Sequence, residues 1–277
     1  MKKLIPALMQ AQNRLKNFFR LYDTELMHHA SSLSFHTILA LLPVLMVSLS
    51  VFMQLPSFKG YYDKIMGFIF SNFLPANQAS MAHYIEEFMA NGLSLGVTGF
   101  CAVLVTSVLF FGDFEAIIAR ISHSPERSFF KSLSTYWTLM TLAPVGLGAS
   151  FYISGELQEL LNKTELTSWI NLLKILPYLI VWGIFAITYA TAINREIRAK
   201  AVLASSLVAS ILWWLSRLVF AQYVFYNKTY LSIYGSFSVA LFFFLWIYIS
   251  WIFYLYGVKF CVFLDAKFKR GGERQSA

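Results

Sequence analysis

The sequence predicts an all-α, polytopic membrane protein with six transmembrane helices and additional interfacial amphipathic helices. Of the 277 residues, 58% are hydrophobic and 18% aromatic, and only 13% carry a formal charge. Mean hydropathy is +0.60, whereas about a quarter of the residues in an ordinary soluble domain are charged. The apolar runs lack the two-residue alternation of a membrane β-barrel, so helices are the predicted spanning elements. This composition excludes a disordered chain, a disulfide-rich secreted module and a soluble enzyme.

Six apolar runs are long enough to cross a hydrocarbon core, which takes roughly 20 helical residues. They lie at 30–53, 95–111, 135–154, 175–193, 201–220 and 238–264. A membrane domain is therefore predicted at 30–264, between a basic amphipathic helix in 1–29 and a basic tail in 265–277. The outer segments 54–94 and 155–172 carry apolar residues at helical spacing, which predicts amphipathic helices in the headgroup layer or above a cavity.

Lysine and arginine concentrate on one side of the predicted spans. Fifteen of them lie before the first span or after the second, fourth or sixth, and five lie in the other three loops. The positive-inside rule predicts a multi-pass protein with both termini in the cytoplasm. Because residues 1–29 are polar and basic, no cleavable signal peptide is expected. The same basic helix is expected to bind anionic lipids of the inner leaflet.

The first span carries a polar stripe, and polar residues inside a membrane are costly and often functional. At spacings that place them on one helical face, the stripe comprises Glu25, His29, Ser32 and His36. Two interpretations stay open. The stripe either lines a hydrophilic cavity or forms a proton-responsive pair of histidines, or only His36 is buried and bonds to a neighbouring helix.

Two prolines occupy similar places in the first and third spans. Pro43 and Pro144 each stand in a Leu-x-Pro-Val sequence near the middle of a span. A proline inside a helix frees a carbonyl one turn earlier, so both are predicted kinks.

The fifth span repeats the spacing of the first. Ser206, Ser210, Trp213 and Arg217 lie on one predicted face, and Arg217 is about 24 Å along the helix from residue 201. Arg217 is expected either to extend to the outer headgroups or to face the bundle interior and bind an anionic headgroup there. Ser210 and Trp213 would line the same face.

A polar cluster is predicted at the cytoplasmic edge of the bundle. Asp113 and Glu115 follow the second span, and Asn194 and Arg195 follow the fourth. These side chains are expected to lock the helix ends together. The sequence leaves open whether Glu115 pairs with Arg195 or with Arg198.

The sequence offers no convincing catalytic set. It has no Gly-x-x-x-x-Gly-Lys-Ser/Thr loop, no His-Glu-x-x-His motif and no dense cluster of histidine and aspartate. Adjacent His28 and His29 would point about 100° apart on a helix, which is awkward for a shared metal. An enzyme, a metal, a cofactor and a nucleic-acid partner are therefore not expected, and the sequence does not indicate an oligomeric state.

Three stretches resemble the YihY/BrkB family of bacterial inner-membrane proteins, once labelled ribonuclease BN. They are the first-span block at 30–43, the aromatic fifth span at 205–223, and 230–257 with its Tyr-Gly-Ser and Leu-Trp-Ile-Tyr-Ile-Ser sequences. The resemblance implies a six-helix protein of the bacterial inner membrane with a suspected role in transport or envelope lipid handling. Lys259 departs from the family, which often has an acidic residue after the late Gly-Ala pair.

Two functions compete after this resemblance. The first is an inner-membrane transporter or flippase-like protein for a lipid or amphipathic anion of the cell envelope, with Arg217 as headgroup partner. The second is a non-catalytic scaffold or docking subunit whose outer helices bind a periplasmic or envelope protein partner. Ribonuclease activity is not expected, because the metal motifs are missing.

Overall fold

The part of the chain that the computed structural model describes contains five long helices. This part comprises residues 23–53, 67, 96–128, 130–132, 134–135, 172–227, 234 and 237–273. The helices are α1 (Thr24–Met53), α2 (Gly96–Ser122), α3 (Leu172–Ala192), α4 (Ala199–Tyr226) and α5 (Phe237–Glu273). The described residues contain helices and no strand, which agrees with the all-α prediction.

Three of these helices are long and apolar enough to cross a membrane. They are Ile175–Ala192 within α3, the whole of α4, and Ala240–Lys269 within α5, at the places of the predicted fourth, fifth and sixth spans. α1 and α2 are helical where the first two spans are predicted. The third predicted span with Pro144, and the two outer segments, lie almost entirely outside the described residues. Six transmembrane helices therefore stay a prediction.

The helices continue past the predicted boundaries. α1 begins at Thr24, so the boundary placed at residue 29 falls inside a helix. α5 continues to Glu273, into the segment predicted as a tail from residue 265. Hydropathy marks where apolar residues stop, but helical hydrogen bonding continues through polar residues until a cap ends it. Pro43 lies inside the continuous helix α1, and the predicted kink there stays a prediction.

α2 ends at Ser122 in a left-handed turn. His123 has a φ of 52°, and the amide of Ser124 donates to the carbonyl of Ala119 at 3.0 Å. This is the hydrogen bond of a Schellman cap, which satisfies a carbonyl at the helix end. After this turn the chain passes through Pro125 and folds back toward α2, where the amide of Arg127 donates to Glu115.

α4 begins without a cap from its own sequence. The side chain of Arg198, at the N-cap position, makes no capping bond. Its backbone amide instead donates to Oδ1 of Asp265 on α5 at 3.1 Å. Lys269 places its Nζ 3.0 Å from the other oxygen of Asp265. The start of α4 is therefore held by a carboxylate from α5, whose charge also favours the positive end of the helix dipole.

α5 packs against each of the other four helices. Hydrogen bonds from aromatic side chains join it to three of them, which satisfies ring N–H and O–H groups inside the bundle. The bonds are Trp251 Nε1 to Thr37 Oγ1 of α1 at 2.8 Å, Tyr189 Oη of α3 to the Tyr254 carbonyl at 3.0 Å, and Trp213 Nε1 of α4 to Ser250 Oγ at 3.0 Å. α5 therefore fixes the positions of the helices that carry the polar residues.

Gly257 lets α5 approach α3 and α4 closely. A Cβ added there would overlap the hydroxyl of Tyr189 and lie 2.6 Å from the Cβ of Ala209. Tyr189 is fully buried, so its ring has no free space to enter. Only glycine fits this crossing.

The start of α1 is joined to α5 by an ion pair. Lys259 Nζ donates to Oδ2 of Asp23 at 2.5 Å, and the amide of Asp23 donates to the hydroxyl of Tyr256 at 3.3 Å. Oδ1 of Asp23 accepts the amide of Leu26 at 3.3 Å and so caps α1. The hydrogen bond from Lys259 holds the pKa of the Asp23 carboxyl below its usual range.

Replacing Asp23 with Asn is expected to make the stability of the protein less dependent on pH. Asn also caps helices well, so the variant loses mainly the charge. A carboxyl with a lowered pKa stabilises the fold above its unfolded pKa of about 3.9, and this contribution is lost as pH falls through the folded pKa. Thermal unfolding in detergent should therefore find the wild type more stable at pH 7, with the difference decreasing as the pH falls below about 3.9.

The variant Lys259→Met serves as the matched control for this effect. It removes the other partner of the pair, so its deficit should also shrink on acidification. A deficit of Asp23→Asn that is equally large at pH 7 and pH 3 would contradict the assignment to charge.

Candidate functional site

A polar site lies between α1 and α2, and we call its three residues Ser32, His36 and Asp113 the α1–α2 polar site. Ser32 Oγ donates to Oδ2 of Asp113 at 2.6 Å, and His36 Nδ1 lies 3.1 Å from the same oxygen. Two α1 side chains from the predicted stripe thus meet on one carboxylate oxygen of α2. The side chains of His36 and Asp113 are 23% and 28% exposed.

The hydrogen bonds restrict the protonation of this site. An ionised carboxylate only accepts hydrogen bonds, so Nδ1 of His36 carries a proton when Asp113 is charged. Nε2 is then the ring atom that gains or loses a proton. The site joins one acid, one base and one hydroxyl, a set suited to proton exchange. No group of three metal-ligating side chains occurs within the part of the chain that the structure describes.

The stripe continues from this site toward the N-terminal end of α1. His29 Nε2 lies 3.6 Å from Oε1 of Glu25, and Arg120 of α2 places a guanidinium nitrogen 3.8 Å from the same oxygen. Glu25 and Arg120 are exposed, whereas the side chain of His29 is 16% exposed. The stripe therefore begins at an exposed carboxylate and leads to the α1–α2 polar site.

A second site lies on the exposed side of α3 and α4, away from the buried core. It consists of Tyr178, Trp214 and Arg217, and we call it the α3–α4 stack. The rings of Tyr178 and Trp214 have centroids 4.5 Å apart and are tilted by 30°. The Cζ atom of Arg217 lies 4.7 Å from the centroid of the Trp214 ring, a cation–π distance. Leu215 and Leu218, on either side of Arg217 in the sequence of α4, are exposed apolar residues.

The remaining predicted residues of the α4 face point into the bundle. Ser206 is fully buried and accepts a hydrogen bond from Trp182 Nε1 of α3 at 3.1 Å. Ser210 is buried, with its hydroxyl on the carbonyl of Leu207. Trp213 is buried against α5. The structure therefore divides the predicted binding residues, with His29, Ser32 and His36 at the α1–α2 interface and Ser210, Trp213 and Arg217 on α4.

Glu115 forms a buried ion pair with an arginine that the sequence prediction did not consider. Arg127 NH1 lies 3.3 Å from Oε2 of Glu115, and the backbone amide of Arg127 donates to Oε1 at 3.2 Å. Arg127 also donates to the carbonyl of Thr191 at the end of α3, and Ser132 donates to Glu115 at 3.4 Å. The side chains of Arg127 and Glu115 are 10% and 6% exposed. These contacts connect the segment that follows α2 to α2 and α3. We call the group Glu115, Arg127 and Ser132 the Glu115–Arg127 lock.

The predicted cytoplasmic-edge cluster is thus divided among three places. Asp113 belongs to the α1–α2 polar site. Glu115 belongs to the Glu115–Arg127 lock. Asn194 contacts the segment after α2 by donating to the carbonyl of Pro125 at 2.9 Å. Arg195 acts electrostatically on Asp265 of α5. Asp113 and Glu115 are two residues apart, and side chains at that spacing on a helix point in different directions.

Several residues of these sites escaped the sequence prediction. Trp214 precedes Arg217 by three residues, and residues at that spacing are neighbours on a helix. Their contact could therefore have been predicted from the sequence. Tyr178 and Arg127 belong to other segments, and no local pattern joins them to their partners. Asp113 was identified as a polar residue, but its contact with α1 spans 77 residues of sequence.

The bundle and its exposed apolar faces define a helical membrane protein. Residues 18–277 match the model of a family described as Virulence factor BrkB, and the chain belongs to this family. The resemblance to the YihY/BrkB family is therefore confirmed.

Similar proteins are named as membrane proteins. A UPF0761 membrane protein of Mannheimia succiniciproducens is 29% identical over 260 residues, covering 92% of this chain and 91% of the relative. One from Haemophilus influenzae is 29% identical over 258 residues, with coverages of 91% and 96%. One from Yersinia pestis is 34% identical over 213 residues, with coverages of 76% and 72%. No solved structure matches the chain.

Proposed function

We propose that this protein is an inner-membrane transporter or flippase-like protein for a lipid or amphipathic anion of the cell envelope. The α3–α4 stack is the observation that carries the proposal. Both termini would lie in the cytoplasm, and the stack would bind the anionic headgroup from the outer half of the membrane.

The depth and surroundings of Arg217 support a lipid as the bound molecule. Arg217 lies about 27 Å along α4 from its first residue, within a helix long and apolar enough to cross a membrane. A cation at that depth is costly unless a partner or a headgroup compensates it. The Trp214 ring fixes the guanidinium beside an apolar surface, where lipid chains would lie next to a bound headgroup. The forked donors of arginine suit phosphate or carboxylate oxygens.

Polar groups between Arg217 and the N-terminal end of α4 support movement of the headgroup rather than static binding. Ser210 and Ser206 place hydroxyls on α4 between Arg217 and its first turn, and Trp182 adds an indole N–H there. A polar headgroup that crosses a membrane needs such groups along its path, because losing its hydrating water without replacement hydrogen bonds is energetically costly.

Replacing Arg217 with Ala is expected to release a retained anionic lipid. Charge-assisted hydrogen bonds contribute about 1.5–3 kcal/mol, so retention should fall about tenfold or more. Native mass spectrometry of protein purified in mild detergent, with phosphatidylglycerol and phosphatidylethanolamine added in equal amounts, measures this. In liposomes, the same variant should slow the movement of labelled phosphatidylglycerol between leaflets.

Lys200→Ala is the matched control, because it removes an exposed cation from the first turn of α4. It should leave the retained lipid unchanged. Equal lipid binding by the wild type and Arg217→Ala, or wild-type liposomes without lipid movement, would reject the proposal. The scaffold hypothesis would then remain, and crosslinking of segment 54–94 to envelope proteins would test it.

A further inference from the structure

The α1–α2 polar site places an acid and a base in direct contact on two helices, and binding of a headgroup by Arg217 does not require it. Ser32 and His36 both meet one oxygen of Asp113, at 2.6 and 3.1 Å. From this geometry we propose that His36 and Asp113 form a proton-binding site that takes up one proton from the cytoplasmic side.

The proton is bound at Nε2 of His36. Nδ1 already donates to Asp113, so uptake at Nε2 converts the ring into an imidazolium. The charge of the pair changes from −1 to zero, and neutralisation is favourable where water is scarce. Ser32 donates to the carboxylate in both states.

Other titratable and charged groups line the same interface on each helix packed there. Among the described residues of α1, α2 and α5 they are Glu25, His29, Arg120, Tyr254, Tyr256, and Lys259 with its partner Asp23. Arg120 lies near Glu25, and Lys259 is bound to Asp23. These two pairs neutralise charges toward the helix ends, so the net charge that remains near His36 is that of Asp113.

The stripe on α1 supplies a route for the proton. Glu25 is exposed at the start of the helix, and the next stripe residues, His29 and Ser32, follow at one-turn intervals of about 5 Å. Histidine ordinarily changes charge between about pH 5 and 8. The next step rests on the proposed function. In it, a proton gradient drives lipid movement through proton binding at His36.

The proton site can be tested without any transported lipid. The full chain contains five histidines, and ¹⁵N NMR of imidazole-labelled protein in lipid nanodiscs reports the protonation of each. We expect one signal that titrates between pH 5 and 8, is absent in His36→Gln and persists in a variant with the other four histidines replaced by Gln. The second variant keeps the assignment secure if the first fails to fold.

Asp113→Asn tests the role of the carboxylate. Removing a negative charge in contact with the ring should weaken proton binding at His36, so the titration midpoint of the variant should lie at lower pH than that of the wild type. His123→Gln, in the exposed turn after α2, should leave that midpoint unchanged. A His36 signal that keeps one protonation form from pH 5 to 8, or a midpoint unaffected by Asp113→Asn, overturns the proposal.

Lipid movement in proteoliposomes separates the coupling from the proposed function. A pH gradient should accelerate the movement of labelled phosphatidylglycerol between leaflets in the wild type. His36→Gln should abolish this acceleration and still retain the lipid whose binding depends on Arg217. Equal acceleration in both proteins overturns the coupling. Absence of lipid movement in the wild type rejects transport, and the NMR titration still decides whether His36 binds a proton.

Discussion

Replacing Arg127 with Ala is expected to lower the free energy of unfolding by about 3–5 kcal/mol. Both side chains of its ion pair with Glu115 are nearly buried, so the variant leaves the charge of Glu115 without its cation in a site that little water reaches. The bond to the Thr191 carbonyl is lost as well. Unfolding by SDS titration from mild detergent micelles measures the change.

Arg120→Ala is the matched control for the loss of one arginine from the same side of the bundle. Arg120 and Glu25 are each 67% exposed and 3.8 Å apart, and exposed ion pairs contribute at most about 1 kcal/mol. A double variant, Arg127→Met with Glu115→Leu, should recover most of the lost stability because no buried charge remains. If Arg127→Ala cost no more than Arg120→Ala, the pair would be solvated rather than buried.

Replacing Gly257 with Ala is expected to cost about 1–3 kcal/mol or more, the usual range for overpacking a filled interior. The new methyl group would overlap the Tyr189 hydroxyl and press on the Cβ of Ala209, which is fixed to the backbone of α4. The helices would have to separate, which would strain the bond from Tyr189 to the Tyr254 carbonyl. SDS titration or thermal unfolding detects this loss.

Gly183→Ala on α3 is the matched control for this substitution. A Cβ at Gly183 meets nothing within 4 Å, and alanine is the better helix former by about 1 kcal/mol, so this variant should be as stable as the wild type or more so. Adding Tyr189→Phe to Gly257→Ala removes the hydroxyl that the methyl group overlaps and should recover part of the loss. Equal stability of the two Gly→Ala variants would contradict the close helix crossing.

Periodicity predicted the parts of the fold that depend on neighbouring residues. The spacing of Ser32 and His36 placed them on one face of α1, and the structure brings both to the same carboxylate. The apolar runs located α3, α4 and α5 within a few residues at most ends. These features follow from helix geometry alone, so a single sequence contains them.

The partners of those residues depend on how the helices pack, and one sequence does not contain that information. The sequence left open whether Glu115 pairs with Arg195 or with Arg198. Its partner is Arg127, because the Schellman turn after α2 folds the following segment back toward Glu115. Lys259 was noted as a departure from the family pattern, and its ion pair with Asp23 spans 236 residues of sequence.

The origin of the cap on α4 has a consequence for how the protein is made. The Arg198 amide is satisfied by Asp265, which lies 67 residues later in the chain. When the ribosome has completed α4, this carboxylate does not yet exist, and the amide must bind water or headgroups instead. The first turn of α4 therefore reaches its final form only after α5 has been synthesised and has packed against α4. Biogenesis of the bundle is complete only when its last helix has been synthesised, and a chain truncated before Asp265 would leave α4 with an open end.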